Sequence, residues 1–558
     1  MKILIIGAVA AGTSAATKAR RNNEDAEIKI YEMDSDISYS ACGLPYFIGG
    51  KIENLQQLVP RNSAFFKSKY NVDILTSHQV LKIEPYNKNI EVKNLSTSEI
   101  FTESYDKLII STGAKPIVPP IQGIDKKNVF MLRNVKSADL IKTFINKENP
   151  QRAIVIGSGF IGLEMVENLK ALGIEVSVIE MEDHLMKPLD NDVSIYLKDV
   201  LIKNGVNVYI NNSVKELVGD EYANKAVLNS GTILDTDMVI VAAGIRPNVD
   251  LAKRAGIELG ATGAIKVNNR METSIKDIYA CGDCAESFSI VTGNPCYRPL
   301  GSTANKMGRI AGDQVTGGNL EFRGVLGTGI FKVFDNTVAQ TGLSERDAIQ
   351  EGYVVSVCHN IKPDKPEYFH GEEMLIKAVA NKDNGRLLGV QIIGKSGVDK
   401  RIDVFVTAIT FGAKVQDLFH LDLAYAPPFS TTKDPVMYTG MILTNELERG
   451  RKLITAQELD ERIQDNESIT IIDARVAKQY QQSHVEGAIN LSHESLRDNK
   501  NTIDKDNMIV TYCNKGVTGN AAQNILINNG FKRVYNLSGG YKNYRVLDLL
   551  NKARKQSF

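Results

Sequence analysis

The chain has 558 residues, enough for roughly three or four domains. Lys plus Arg equals Asp plus Glu, 66 each, so net charge points to no nucleic-acid partner and no membrane partner. Six scattered cysteines build no disulfide framework and fit a reducing, cytoplasmic setting, and no apolar run nears the ~20 residues needed to span a bilayer.

The chain opens on an apolar strand, residues 2–6, too short for a signal peptide. A glycine turn comes next, from Gly7 through Val9 and Ala10 to Gly12, and the second apolar strand, 28–31, ends at Glu32. This reads as a dinucleotide-binding start in which Val9 stands at the middle glycine position. The backbone there still reaches a phosphate if the side chain points away. Cys42 lies just beyond, in Ser38-Tyr39-Ser40-Ala41-Cys42-Gly43-Leu44-Pro45-Tyr46, with no second cysteine nearby. A dinucleotide held at the turn brings its redox ring close to the segment after the second strand, and that segment carries one thiol. A lone thiol beside a flavin suggests a mixed disulfide or persulfide with an external sulfur compound. The plain alternative is a small buried residue; the Gly-Leu-Pro turn and the preceding motif favour a site.

A strand ending at Thr112 and Gly113 closes the first region. A complete second start comes after it: strand 152–156, then Gly157, Gly159, Phe160, Ile161 and Gly162, a helix predicted over 163–172, and a strand, 175–179, ending in Glu180. The first glycine makes the turn, the second admits the pyrophosphate, the third lets helix and strand pack, and the acid accepts from a ribose. Two such units predict two dinucleotides. Strand 237–241 runs to Gly244, and residues 277–284 return to the first fold, with Gly282 and Asp283 placed to bond a polyol chain. Cys281 and Cys284 form a C-x-x-C, but no second Cys or His pair completes a zinc site, so no metal is expected. Cys296 and Cys358 read as bystanders.

From Gly324 the pattern turns to strands, predicted over 328–334, 374–379 and 387–393, then a helix over 398–411, as in an α+β domain. After the charged run 446–452 comes a final α/β module of about 105 residues.

The two nucleotide sites in this order resemble the flavoprotein disulfide reductases. Ser38, Cys42, Gly43, Pro45 and Tyr46 resemble the coenzyme A-disulfide reductase and NADH oxidase branch, over about 445 residues. The tail is similar to a rhodanese domain: residues 471–475, 484–490, the loop after Cys513, and 537–541 match its motifs. The resemblance implies an α/β fold with two Rossmann-like domains, an FAD-binding one at 1–120 with 271–323 and an NAD(P)H-binding one at 148–270. An α+β dimerisation domain, 324–445, and an α/β rhodanese domain, 455–558, complete the expected chain. FAD is expected at Gly7, Val9, Ala10, Gly12, Glu32, Ser40, Thr112, Gly113, Gly282, Asp283 and Ala304. NADH or NADPH is expected at Gly157, Gly159, Phe160, Ile161, Gly162, Glu180 and Gly244. Coenzyme A, as substrate or bound ligand, is expected at Ser14, Lys18, Arg21, Ser38 and Lys433. Ala41 replaces the family's usual Asn, which removes one polar contact. Tyr425 and Tyr368 match the family's two tyrosines, and a homodimer is implied.

The implied reaction is reduction of coenzyme A disulfide, coenzyme A persulfide or polysulfide by NAD(P)H through Cys42. A tyrosine hydroxyl assists the leaving thiolate, and Cys513 loads, carries or unloads sulfur. Cys513 begins a loop whose backbone N–H groups stabilise a thiolate or persulfide. Val517 and Thr518 stand where such loops often carry Arg, which puts thiosulfate in doubt as a donor. Two rivals are an NADH oxidase or peroxidase cycling Cys42 through sulfenic acid, and a sulfurtransferase or sulfur sensor.

Overall fold

The computed structural model describes residues 1–546. Residues 1–182 with 205–327 form one compact unit, and 183–204 with 328–546 form a second. The first unit contains two five-stranded parallel sheets. One has the order Ile278–Ala280, Lys107–Ile110, Lys2–Ile6, Glu27–Tyr31, Asp73–Leu75. The other runs Asn207–Tyr209, Glu175–Ile179, Arg152–Ile156, Met238–Val241, Val129–Phe130. In each, the glycine-turn strand is central, flanked by the strand that carries the acid. Its residues are apolar because parallel strands are covered on both faces. The strand Ile278–Ala280 returns to the edge of the first sheet, although about 170 residues separate it from its neighbour Lys107–Ile110.

Both helices after the glycine turns pack tightly at their first turn. The helix Phe160–Ala171 begins three residues before the predicted 163, because Gly162 belongs inside its first turn. A Cβ at Gly162 would lie 2.2 Å from the Gly157 carbonyl oxygen, so helix and turn meet backbone to backbone.

The second unit holds a five-stranded antiparallel sheet, ordered Gly329–Val333, Asn336–Gly342, Leu387–Gly394, Glu373–Asn381, Val355–Pro363. The strand Leu387–Gly394 is buried at every position. Each of its Leu, Ile and Val side chains contributes roughly 1.5–3 kcal/mol on burial. Two strands of this sheet escaped the sequence reading, Asn336–Gly342 and Val355–Pro363. The first is built of small and polar residues, and the second carries His359, Asn360 and Lys362 in place of an apolar run. A parallel five-stranded sheet completes the unit, ordered Leu453–Ile454, Val534–Leu537, Met508–Tyr512, Ile469–Asp473, Ile489–Asn490.

Charge ties the segment 183–204 to the antiparallel sheet. Lys377, 1% exposed on the antiparallel sheet, donates to Asp192 at 2.8 Å and to Glu345 at 2.7 Å. Burial alone lowers its pKa; the carboxylates of Asp192, Asp190 and Glu345 outweigh burial and keep it charged. The other Asp192 contact is His359 Nε2, at 2.6 Å.

Candidate functional site

The two helices that follow the glycine turns start without side-chain caps. Ala10–Asn22 comes after Val9, and Phe160–Ala171 after Gly159; neither has a side-chain cap or an acid in its first turn. Their leading N–H groups and positive dipole ends therefore suit a dinucleotide's phosphates. A Cβ at Gly159 would meet nothing within 4 Å, which leaves the approach that a pyrophosphate requires. On these observations the residues present fit both dinucleotides.

The acids are held where the motif requires them. Glu32 accepts from the Ala8 N–H at 2.7 Å and the Asp34 N–H at 3.0 Å, and burial raises its pKa. Glu180 Oε2 accepts from the Ser158 N–H at 2.9 Å and hydroxyl at 2.6 Å, while Oε1 accepts from Glu182 N–H at 3.0 Å. One lone-pair direction on Oε1 is left for a ribose hydroxyl. Burial pushes the Asp283 carboxyl up, against the charge of Arg133. A Cβ at Gly282 would lie 2.8 Å from Ala11 and 3.6 Å from Ala304, so the Gly282 turn, the first helix and Ala304 meet at one place. Thr112 donates to the Asn248 carbonyl at 2.7 Å, Gly113 has φ +67°, and the Gly244 carbonyl accepts from Ile117 at 2.9 Å. Phe160 and Ile161 form the first turn of their helix.

A cleft of about 430 Å³ opens along the first helix. It is lined by Val9, Ala10, Ser14, Arg21, Ser38 and Ser40, so three of the residues expected to hold coenzyme A share one cavity. Ser38 has φ +50°, a conformation uncommon outside glycine, and its N–H is tied to the Ala8 carbonyl at 2.9 Å. Lys18, expected on the same face, stands apart from these three. It does not line the cleft; its ammonium is captured by Asp313 at 3.0 Å and Asn22 at 2.8 Å. Arg61, Tyr39 and Asn305 line the cleft and were not foreseen. Arg61 supplies a second cation there, approaching from a loop about 40 residues downstream of Arg21.

Cys42 lies on the short turn Ala41–Gly43, two residues beyond Ser40, and is exposed. Partial burial of its sulfur, then the negative charges of Glu164 and Asp283, push its thiol above the ordinary value. Glu164 is a site residue that the sequence reading missed. Burial and then the Glu167 charge push its carboxyl up to about 7, while a hydrogen bond to Tyr46 opposes them. Tyr46 is pushed up to about 12 by burial and the two glutamates. The available signal was an acid inside the otherwise apolar stretch Phe160–Val166.

The sign of this coupling is testable. Below about pH 7 Glu164 is protonated and exerts no charge on Cys42; above it, the carboxylate opposes thiolate formation. Glu164→Gln is therefore expected to speed iodoacetamide alkylation of Cys42 by roughly three- to tenfold on the alkaline side of pH 7. The difference from wild type should vanish on the acid side. Rates against pH for both proteins check it, and an equal rate on the alkaline side contradicts it.

In the second unit, Cys513 comes directly after the strand Met508–Tyr512 and is buried. The loop turns at Gly516, φ +91°, into the helix Val517–Asn528. The Cys513 carbonyl accepts from Tyr541 N–H at 2.8 Å, which needs Gly540, whose Cβ would lie 2.3 Å from that oxygen. Arg475, paired to Asp473 at 2.6 Å, also donates to Asn514 at 3.2 Å and steadies the loop from beneath. Tyr368 and Tyr425 are 71% and 49% exposed, and Lys433 is exposed. Cys281 and Cys284 are buried in the core of the first unit, where Cys284 donates to carbonyls of Ile110 and Cys281 at 3.4 Å.

Comparison with known families decides the class. Residues 1–307 match the pyridine nucleotide-disulphide oxidoreductase model, and 329–435 match the dimerisation domain of the same family. The chain belongs to the pyridine nucleotide-disulphide oxidoreductase family. Residues 455–546 match a rhodanese-like domain. Among curated relatives, the NADH oxidase of Methanocaldococcus jannaschii is 35% identical over 438 residues, 78% of this chain and 97% of that one. The NAD(P)H coenzyme A polysulfide/persulfide reductase of Pyrococcus horikoshii is 34% identical over 444 residues, 79% and 98%. The solved structure of reduced Bacillus anthracis CoADR-RHD is 39% identical with a TM-score of 0.95, covering 98% of both chains. The α/β class, with oxidoreductase, dimerisation and rhodanese modules, is established by these matches. Family members use FAD and NAD(P)H.

Proposed function

We propose that the protein reduces coenzyme A disulfide, coenzyme A persulfide or polysulfide with NAD(P)H, through Cys42, and that Cys513 handles sulfur. The observation that carries this reading is one exposed thiol beside a cleft that holds Ser14, Arg21, Ser38 and Arg61. Hydroxyls and guanidinium groups of that kind bind phosphates and a pantetheine-like chain. FAD, when bound at the first turn, supplies the electron path from the nicotinamide to the disulfide.

The protein's own groups do the rest. The Cys42 thiolate attacks a sulfur of the substrate disulfide; the new Cys42–S–S–CoA bond forms as the old bond breaks, and one thiolate leaves. Tyr425 or Tyr368 gives that thiolate a proton or a hydrogen bond. Two electrons then cleave the mixed disulfide, releasing the coenzyme A half as a thiolate and returning Cys42 as the thiolate. With a persulfide substrate one product is hydrogen sulfide. A second copy of the chain completes a homodimer, in keeping with the matched dimerisation segment. The domain limits we propose are those read from the sequence: 1–120 with 271–323 for FAD, 148–270 for NAD(P)H, 324–445 for dimerisation and 455–558 for the rhodanese module. Among the described residues no helix is long and apolar enough to cross a membrane. The cytoplasmic setting proposed here rests on six scattered cysteines in a chain of 558 residues.

NADH oxidation measured side by side with coenzyme A disulfide, coenzyme A persulfide, polysulfide and oxygen tests the reading. Faster turnover with a sulfur substrate than with oxygen is expected. Faster turnover with oxygen would instead favour the oxidase relative's chemistry.

Nucleotide choice rests on Glu180, whose free lone pair accepts from a ribose 2′-OH and whose charge repels a 2′-phosphate. One hydrogen-bonded acid against one dianion predicts roughly a tenfold NADH preference in kcat/KM, about 1.4 kcal/mol. Measuring both nucleotides with one sulfur substrate checks it. A clear NADPH preference would mean that other charges outweigh Glu180.

A further inference from the structure

The two tyrosines of the proposed reaction sit on separate loops, and one buried cation joins the bases of both. Tyr368 lies on the short turn Glu367–Phe369, within the connection 364–372 between the strands Val355–Pro363 and Glu373–Asn381. The ends of that connection are tied to each other. The Asp364 N–H donates to the Glu372 carbonyl at 3.0 Å, and the Asp364 carboxylate accepts from the Glu372 N–H and the Ser396 hydroxyl, both at 2.8 Å. Tyr425 and Lys433 lie on the connection that leads into the helix Pro435–Arg449. It turns just after Tyr425, where the Ala426 carbonyl accepts from the Phe429 and Ser430 N–H groups at 2.9 and 3.1 Å. It ends at Asp434, which caps the helix by accepting from the Val436 N–H at 2.9 Å.

Arg401, on the helix Val398–Thr410, is 2% exposed and reaches both bases. Its Nη2 donates to the Asp364 carbonyl at 2.8 Å and to the Asp434 carboxylate at 2.9 Å, with the Ser430 hydroxyl at 3.3 Å. Ser430 is buried and donates to the same Asp434 oxygen at 2.8 Å. Nη1 donates to the Gly397 carbonyl at 3.3 Å, and Gly397 makes room for it, because a Cβ there would collide with Nη1. The tie is thus buried, while Tyr368 and Tyr425 above it are exposed. A buried ion pair adds little net stability over apolar side chains that fill the same volume. A planar guanidinium adds geometry instead, since its donor directions set the segments it touches in one relative position.

We propose that Arg401 is a positioning residue for the leaving thiolate: through Asp364 and Asp434 it sets the Tyr368 loop and the Tyr425 loop against each other, so that both hydroxyls are presented to one departing sulfur. In the exchange step the bond from Cys42 to the captured sulfur forms, the substrate S–S bond breaks, and its electron pair stays on the departing sulfur. A tyrosine hydroxyl donates a hydrogen bond to that sulfur as its charge develops. Arg401 lies beneath the loops and acts through them. Its effect therefore scales with how much help the departing thiolate needs.

The proposal rests on the reading of Tyr368 and Tyr425 as donors to the leaving thiolate, and the test separates the two. Pre-reduced, FAD-bound full-length protein is mixed rapidly with saturating coenzyme A disulfide, or with the mixed disulfide of coenzyme A and 2-nitro-5-thiobenzoate, and release of the first thiol is timed. Attack on the coenzyme A sulfur gives the same Cys42–S–S–CoA from both; only the leaving group differs. Coenzyme A departs as a basic thiolate, whereas the aromatic thiolate is weakly basic and leaves without help. Asp434→Asn keeps the helix cap, since asparagine caps as well as aspartate, and removes the charge paired with Arg401. It is expected to slow release from coenzyme A disulfide about tenfold and release of the aromatic thiolate by less than about twofold. Arg401→Lys, whose ammonium ends short of Nη2, should show the same selectivity, and the double variant Tyr368→Phe, Tyr425→Phe should show it more strongly. Flavin content and melting temperature check folding. Equal slowing with both substrates, or no slowing with coenzyme A disulfide, overturns the positioning role; if the tyrosine variant still shows the selective loss, the tyrosine reading stands. A tyrosine variant as fast as wild type with both substrates takes down that reading and the positioning role with it.

Discussion

Cys42→Ser is expected to lower NADH-dependent reduction of coenzyme A disulfide by roughly a thousandfold or more, with FAD still bound. Covalent capture of one half of the substrate needs a thiolate, and a serine hydroxyl at neutral pH is a far weaker nucleophile toward sulfur. The described structure offers no neighbouring thiol to take over: Cys281 and Cys284 are fully buried in the core, and Cys296 is only partly exposed on another segment. Cofactor retention is expected from geometry, because the cofactor positions at Gly7, Glu32 and Gly282 make none of their contacts through Cys42. Slow oxygen consumption through the flavin can survive. Steady-state turnover with coenzyme A disulfide, together with the flavin absorbance of the purified variant, checks both halves. Full turnover by the variant would remove Cys42 from the mechanism.

Cys513→Ser is expected to act in the opposite place. Persulfide formation on the tail and thiocyanate production should fall to background, a loss of roughly a thousandfold, because the sulfur has no other acceptor on that loop. Reduction of coenzyme A disulfide should stay within about twofold, since the two cysteines belong to different units, each with its own backbone cradle. Serine in place of Cys513 disturbs little: the loop is held through the Cys513 carbonyl, not its sulfur, and through Arg475 beneath it. A folded variant that loses both activities would mean that the modules share one obligatory relay.

Much of this was legible in the sequence, for a definite reason. The glycine turns and the acids Glu32 and Glu180 are local devices whose spacing is dictated by helix and strand geometry, so each unit announces itself within about 30 residues. Cys42 and Cys513 stand out in the sequence because each lies in a short segment with its own backbone requirements. The features that escaped depend on contacts between distant segments. Lys18 looked like a member of the Ser14 and Arg21 face, and only the structure brings Asp313 within 3.0 Å to claim it. Arg61 enters the same cleft from a separate loop. Glu164 lies in an apolar helix, and its meaning emerges only when Tyr46, more than a hundred residues earlier, is packed against it. The strand Val355–Pro363 was hidden by its buried His359 and Asn360 and its half-buried Lys362. Those residues break the apolar pattern because their partners lie far off in the chain: His359 meets Asp192 and Ser538, Asn360 donates to the Pro435 carbonyl and the Thr439 hydroxyl, and the Lys362 ammonium lies over the Tyr438 ring.

The most direct test of the account is a mass measurement on the FAD-bound protein after anaerobic reaction with coenzyme A disulfide. Peptide mapping should find one coenzyme A joined by a disulfide to Cys42 in each subunit, and one equivalent of NADH should release it as free thiol. An unmodified Cys42, or a Cys42 that carries only an oxygen adduct while turnover proceeds, would contradict the central claim that this single thiol works by exchanging sulfur with its substrate.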